Sequence, residues 1–339
     1  MSAAGPQSWS IAAGAPWLAA ARRQIAAALA AGRLPHALLL QGQAGLGKAA
    51  LADYLARLAL CDRPGEAPCG ACPSCHLHSA GNHPDLRRVG LVEDKKQIAV
   101  DDVRELTEAL TLRSFRGGRK VAIIDPADAM NMSGANALLK TLEEPSAGAL
   151  LILTVARPER LPATIASRCQ RLSIRRPAPE LALAWLKERD PAIEWAGLLA
   201  LAAGAPVGAL ALAAGGAGSL EREMAELPSL LARPDADLIG LAERCQGPLA
   251  AERLRWIENW VTDRIRRALL APAPGHSPGS PGLPVAVRRR HIQGLYAILD
   301  ELRAAQAALR TPANPTLLWE RVLGLISAEL AGVRAARAR

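Results

Sequence analysis

Apolar residues follow two rhythms along this chain, and the change between them near Pro177 divides it. Before that point short apolar runs alternate with amphipathic stretches. The runs at 37–40, 121–124 and 150–153, with weaker ones at 86–89 and 171–174, predict strands. Continuous rather than alternating apolarity predicts burial on both faces, the condition of strands in a parallel sheet. Apolar positions recur at helical spacing over 15–31, 48–60, 100–110 and 133–143, and Pro145 stops the last of these helices. This alternation predicts an α/β unit, a parallel sheet flanked by helices. Beyond Pro177 helical spacing continues almost alone, broken at 271–284 by a Pro- and Gly-rich stretch that reads as a flexible connection. Within the helical part, 254–265 carries a wide apolar stripe, with Trp256 and Trp260 as anchors of a core or of an interface.

The first predicted strand runs into Gly42-Gln-Ala-Gly-Leu-Gly-Lys-Ala49, directly before a predicted helix. Backbone N–H groups of such a glycine-rich turn, together with a helix N-terminus, form an anion site, and Lys48 adds a point charge for the β/γ-phosphates. The motif is complete except at Ala49, where a hydroxyl residue should hold Mg²⁺. Asp125, at the end of the strand 121–124, is the expected second element of the metal shell. An acidic residue after it would position an attacking water, but Pro126 and Ala127 come next, and Asp128 is one turn too far along to replace it. Gly42, Gly45, Gly47 and Lys48 leave ATP or ADP binding open. Hydrolysis is not expected.

Cys61, Cys69, Cys72 and Cys75 form a C-x7-C-x2-C-x2-C cluster in a loop rich in Gly and Pro. Clustered thiols of this spacing favour metal ligation over disulfides in a reducing compartment, and four thiolates suit tetrahedral zinc in a closed, structural site. An iron–sulfur cluster and metal-free thiols are the other two readings. Cys169 and Cys245 read as buried structural residues, because no histidine motif accompanies them.

The 339 residues are 50% hydrophobic, enough for more than one core. The net charge of +9 suits a nucleic-acid partner, but 35 Arg against 6 Lys in an Ala-rich chain equally describes a generally Arg-rich surface. No secretory signal is visible in residues 1–16, and the chain reads as cytoplasmic. The charge-free stretch 195–220 is long enough to cross a bilayer, yet Gly204-Ala-Pro206 and Gly215-Gly216 divide it into short helices, so no membrane span is expected.

Three motifs carry a resemblance. Gly32-Arg-Leu-Pro-His-Ala37, Asn136-Ala-Leu-Leu-Lys-Thr-Leu-Glu-Glu-Pro145 and Leu161-Pro-Ala-Thr-Ile-Ala-Ser-Arg-Cys169, with the four-cysteine insert, resemble the clamp-loader ATPase family of bacterial DNA polymerase III over about residues 15–215. The resemblance implies an AAA+ P-loop domain over 1–175 with a zinc module at 61–75, an all-α lid over 176–215, and an all-α collar domain over 216–339. It also implies that Arg168 of the Ser-Arg-Cys motif is an arginine finger in trans, reaching the ATP of a neighbouring motor subunit. On spacing alone, an arginine paired with a local carboxylate is the alternative.

Several departures from the family's active members fall in one site. Besides Ala49 and Pro126, Pro206 stands near the expected nucleotide-sensing arginine, and Thr154 is followed by Val155 and Ala156. The resemblance with these departures implies a non-hydrolysing stator subunit, inert as an ATPase alone. Its partners would be motor subunits and a wrench-type subunit in a hetero-pentamer, with the sliding clamp and primed DNA, within the nucleoid-associated replisome. Two rival functions remain. An active motor ATPase predicts turnover by the chain alone, whereas a zinc-dependent DNA-binding repair protein predicts salt-sensitive DNA binding lost with the metal.

Overall fold

The computed structural model describes residues 9–92, 95, 97–215, 218–247, 249–270, 285–308 and 314–337; the proposed flexible segment 271–284 lies outside them. Compaction divides the chain into two units, Met1–Arg189 with Ala205–Gly208, and Asp190–Gly204 with Ala209–Arg339.

The first unit runs α1 (Trp9–Gly14), α2 (Ala19–Ala30), β1 (Ala37–Gln41), α3 (Lys48–Leu60), α4 (Pro73–Ser79), β2 (Leu86–Gly90), α5 (Val100–Thr111), β3 (Lys120–Asp125), α6 (Met132–Glu143), β4 (Ala149–Val155), α7 (Ala163–Ala166), β5 (Gln170–Ser173) and α8 (Pro179–Lys187). Among the described residues five strands form one sheet, all parallel, in the order β2-β3-β4-β1-β5. Successive residues of a strand face opposite sides. Leu39, Ala122, Ile124, Leu151 and Leu153 join Val103, Leu106, Leu138 and Leu142 of α5 and α6 in one core, while α3 packs against β1, β3 and β4. Unbroken burial holds for β4 and for most of β1 and β3. It fails at β2 and β5 because these are the sheet edges, which is why Arg87 and Arg88 are tolerated in β2.

Register brings the carboxyl ends of the strands together, with Gln41 opposite Val155 and Ser173, and Asp125 opposite Gly90. This is the edge where a helix-flanked parallel sheet places its ligands.

The helix predicted over 15–31 begins instead as a short 3-10 turn, Pro16–Leu18, before α2. Helix α4 was not anticipated. It forms inside the cysteine-rich loop with Pro73 in its first turn, where the missing N–H costs nothing.

In the second unit lie α9 (Trp195–Leu201), most of α10 (Pro206–Ala214), α11 (Gly218–Leu231), α12 (Leu238–Arg244), α13 (Ala250–Leu270), α14 (Val285–Ala308) and α15 (Pro315–Arg337). Leu254, Ile257, Val261 and Ile265 make one buried stripe along α13. That stripe is matched by Leu295, Ile298 and Leu302 of α14 and by Trp319, Val322 and Ile326 of α15, and α14 packs on both neighbours. Each fully buried side chain of this size contributes roughly 2 kcal/mol. The Trp256 and Trp260 rings stack at 6.5 Å and stay half-buried. Among the described residues no single helix is long and apolar enough to cross a membrane.

Candidate functional site

The phosphate loop has the expected strand–turn–helix setting. It leaves β1 at Gln41 and enters α3 at Gly47, whose φ of +88° suits glycine at a helix N-cap. The chain itself covers the loop from several directions. Trp17 Nε1 donates to Leu46 O at 2.9 Å. Gly208 N–H donates to Gly45 O at 3.0 Å. A Cβ on Gly45 would stand 2.9 Å from Gly208 Cα, so the backbone at the start of α10 approaches as closely as glycine permits. Lys48 is buried, and its Nζ donates to Gln43 O of the loop at 2.8 Å. Burial lowers its pKa, opposed by the charges of Asp125 and Asp128.

Asp125 and Thr154 meet at the carboxyl edge of the sheet, where the Thr154 hydroxyl donates to the Asp125 carboxylate. Burial raises the Asp125 pKa, while that hydrogen bond and the Lys48 charge pull it down. Asp128 has a structural role, as its carboxylate accepts from Ala156 N at 3.1 Å and from Arg157 Nε at 3.2 Å. Both its oxygens therefore tie down the exit of β4. Ala49 contributes no hydroxyl, and Pro126 no carboxylate. The site thus keeps the glycines and the lysine of the motif but lacks two side chains that hydrolysis uses.

Arg168 follows α7, with 37% of its side chain exposed. Its Nη2 lies 2.7 Å from Glu143 Oε1 at the end of α6, and its Nη1 donates to Thr164 O at 3.0 Å. The local-carboxylate alternative is thus realised in the isolated chain. Because half of Glu143 is also exposed, this is a surface ion pair of small strength, about 1 kcal/mol or less.

The four cysteines converge. The Cys61, Cys69, Cys72 and Cys75 sulfurs all lie within 4.8 Å of one another, and those of Cys61 and Cys72 are 3.9 Å apart. Such spacing suits four ligands around one metal ion, since Zn–S bonds of about 2.3 Å put tetrahedral sulfurs roughly 3.8 Å apart. A multi-iron cluster would spread its sulfurs further. Backbone donors already face the sulfurs: Cys69 N–H to Cys61 and Cys75 N–H to Cys72, both at 3.4 Å, with Ala71 N–H serving Cys69 and Gly70 N–H serving Cys75. Such donors suit thiolates better than thiols, which accept hydrogen bonds weakly. Burial pushes Cys61 up to about 12, whereas the Ala71 N–H brings Cys69 down to about 6, a mismatch that one cation at the centre would remove. Burial also raises Cys169 and Cys245 to about 11, which suits inert core thiols.

Sequence reading missed five participants: Trp17, Gly208, Glu143 and the buried pair Asp53 and Arg57 on α3. Only the pair had a local signal, two charges one turn apart in the largely apolar helix that follows Lys48.

A family model described as "DNA polymerase III, delta subunit" matches residues 18–178. The DNA polymerase III subunit delta' of Pseudomonas aeruginosa is 38% identical over 238 residues, covering 69% of this chain and 73% of that protein. The subunit of the same name from Escherichia coli is 37% identical, covering 74% of this chain and 76% of that protein. DNA polymerase III subunit tau of Escherichia coli is 37% identical over 43% of this chain and 22% of its own length.

Proposed function

The chain belongs to the DNA polymerase III delta-prime family, and from that premise we propose that it is the non-hydrolysing stator of a clamp loader, supplying Arg168 in trans to a neighbouring ATPase. The single observation that carries this reading is the contrast within one unit between a phosphate loop stripped of metal and water ligands and an arginine left accessible on a turn. In the loop, backbone and Lys48 still favour an anion, but without the Ala49 hydroxyl and a base after Asp125 the bound phosphate has no attacking water. Any ATP or ADP held there would be a passive occupant.

Arg168 needs only to exchange one exposed carboxylate for a γ-phosphate. A guanidinium fork pairs better with phosphate oxygens than with a half-solvated Glu143, and in a closed interface it offsets the charge that develops during transfer. The first unit is read as an AAA+ domain over 1–175 with zinc on Cys61, Cys69, Cys72 and Cys75, the segment 176–215 as a lid, and 216–339 as the collar through which subunits assemble. The zinc site has no open position, so it would hold the insert together rather than do chemistry. Motor subunits, a wrench-type subunit, the sliding clamp and primed DNA are the partners this assembly requires, and the compartment is the cytoplasm.

The test is clamp loading on primed DNA by a mixture of motor and wrench subunits with and without this chain, alongside ATP turnover by the chain alone. The stator reading expects an inert chain on which loading nevertheless depends. Turnover by the chain alone would favour the motor reading, and loading indifferent to its presence would remove the clamp-loader role.

A further inference from the structure

Helix α3 is apolar nearly all round, and buried charge within it demands a partner. Asp53 and Arg57 stand one turn apart at 1% and 4% exposure. Asp53 accepts from Arg88 of β2 and lies 3.4 Å from His78 Nε2 of α4, so three elements meet on one carboxylate. Arg57 donates from its side chain to the Cys75 sulfur. Cys75 itself is fully buried.

Charge counting then links the two clusters. Burial holds His78 down at about 4 and therefore uncharged at neutral pH. Asp53 contributes one negative charge, and Arg57 with Arg88 two positive, leaving the cluster one positive. Four thiolates around one divalent ion carry four negative charges against two positive, leaving two negative. Separately, each is a buried or half-buried net charge that is costly to withdraw from water, whereas adjacent they offset each other.

We propose that Arg57 is the outer partner of the metal site: it donates to the zinc-bound sulfur of Cys75, offsets the anionic charge of the four-thiolate centre, and fastens the zinc module to the helix that begins at the phosphate loop. This rests on the zinc reading above. The fold places Arg57 one turn before Cys61, the first ligand, so a single helix carries the phosphate-loop lysine at its start, the charged partner near its end and a metal ligand just beyond. A hydrogen bond to a coordinated thiolate fixes the orientation of that ligand, and losing such an outer partner commonly weakens metal binding by about 10–100-fold.

The experiment uses the purified full chain. Zinc affinity is measured by competition with a chromophoric chelator, and the ligand field by the sulfur-to-metal charge-transfer band after replacement of zinc by Co²⁺. Arg57→Gln is expected to lose about 10–100-fold in zinc affinity and to move the band to lower energy, because an unbonded thiolate gives up charge more readily. Arg57→Lys, which keeps the charge without the fork, is expected to recover part of the affinity. An Arg57→Gln affinity within about twofold of wild type with an unmoved band would overturn the proposal. Should Arg57→Gln fail to fold, Arg57→Lys decides: a shifted band upholds the partner and an unmoved one removes it. Wild-type protein that binds no zinc would sink the zinc reading and this proposal together, an outcome distinct from failure at Arg57 alone.

Discussion

At Gly45 of the phosphate loop, the backbone of Gly208 lies 2.9 Å from where a side chain would begin. At Arg168, by contrast, more than a third of the side chain meets solvent, and its partner Glu143 is half exposed. Both regions belong to one compact unit built on one sheet. The loop is held by hydrogen bonds from Trp17, Gly208 and Lys48 to the carbonyls of Leu46, Gly45 and Gln43, whereas the arginine is tethered weakly and to a group it is able to leave. A motor needs the reverse, a loop free to admit nucleotide with its metal. On the proposed stator reading, this difference means that the loop's scaffold is kept as architecture while the contribution to chemistry lies with an outward-facing arginine.

The comparison breaks most visibly at Arg168. Replacement by Ala is expected to lower turnover at the single site it serves by roughly 10³-fold or more, and Arg168→Lys nearly as far, because an ammonium lacks the two-pronged geometry. Single-turnover kinetics of that site in the assembled complex checks this. The next effect is on stability. Gly45→Ala combines a φ of +78° with contact against Gly208, and is expected to cost roughly 1–3 kcal/mol, read as a lowered urea midpoint; a neutral result would mean the loop is roomier than described. A smaller effect is expected for Glu143→Gln. Loss of a surface pair worth about 1 kcal/mol or less changes single-site turnover by under about fivefold, whereas a loss as large as that of Arg168→Ala would make Glu143 part of the finger itself. The smallest is expected at position 49. Ala49→Thr restores a hydroxyl but not the residue missing at Pro126, so steady-state turnover of the isolated chain stays at background.

Much of the sheet was legible because buried parallel strands write themselves as unbroken apolar runs; β1, β3 and β4 exceed their predicted limits by one or two residues at an end. Helix α3 was legible to both ends, opened by Gly47 and closed before Cys61. The cysteine spacing likewise announced a cluster that the fold brings within 4.8 Å. Long-range encounters were not legible. Nothing local to Gly208 tells that its N–H meets Gly45, and nothing in the two motifs 25 residues apart by number tells that Arg168 rests on Glu143. Such contacts depend on how the chain between α6 and α7 passes through β4, and on how residues 205–208 rejoin the first unit. Asp53 and Arg57 stood out as charges in an apolar helix, but their partners come from α4 and β2, elements whose positions only the fold supplies.

The most direct test of action in trans is ATP turnover measured for this chain alone and then at the single neighbouring site of the reconstituted complex with clamp and primed DNA, comparing wild type with Arg168→Ala. The account predicts no turnover by the chain alone and a loss of roughly 10³-fold or more at that one site. Turnover by the isolated chain, or a site indifferent to Arg168, would contradict it.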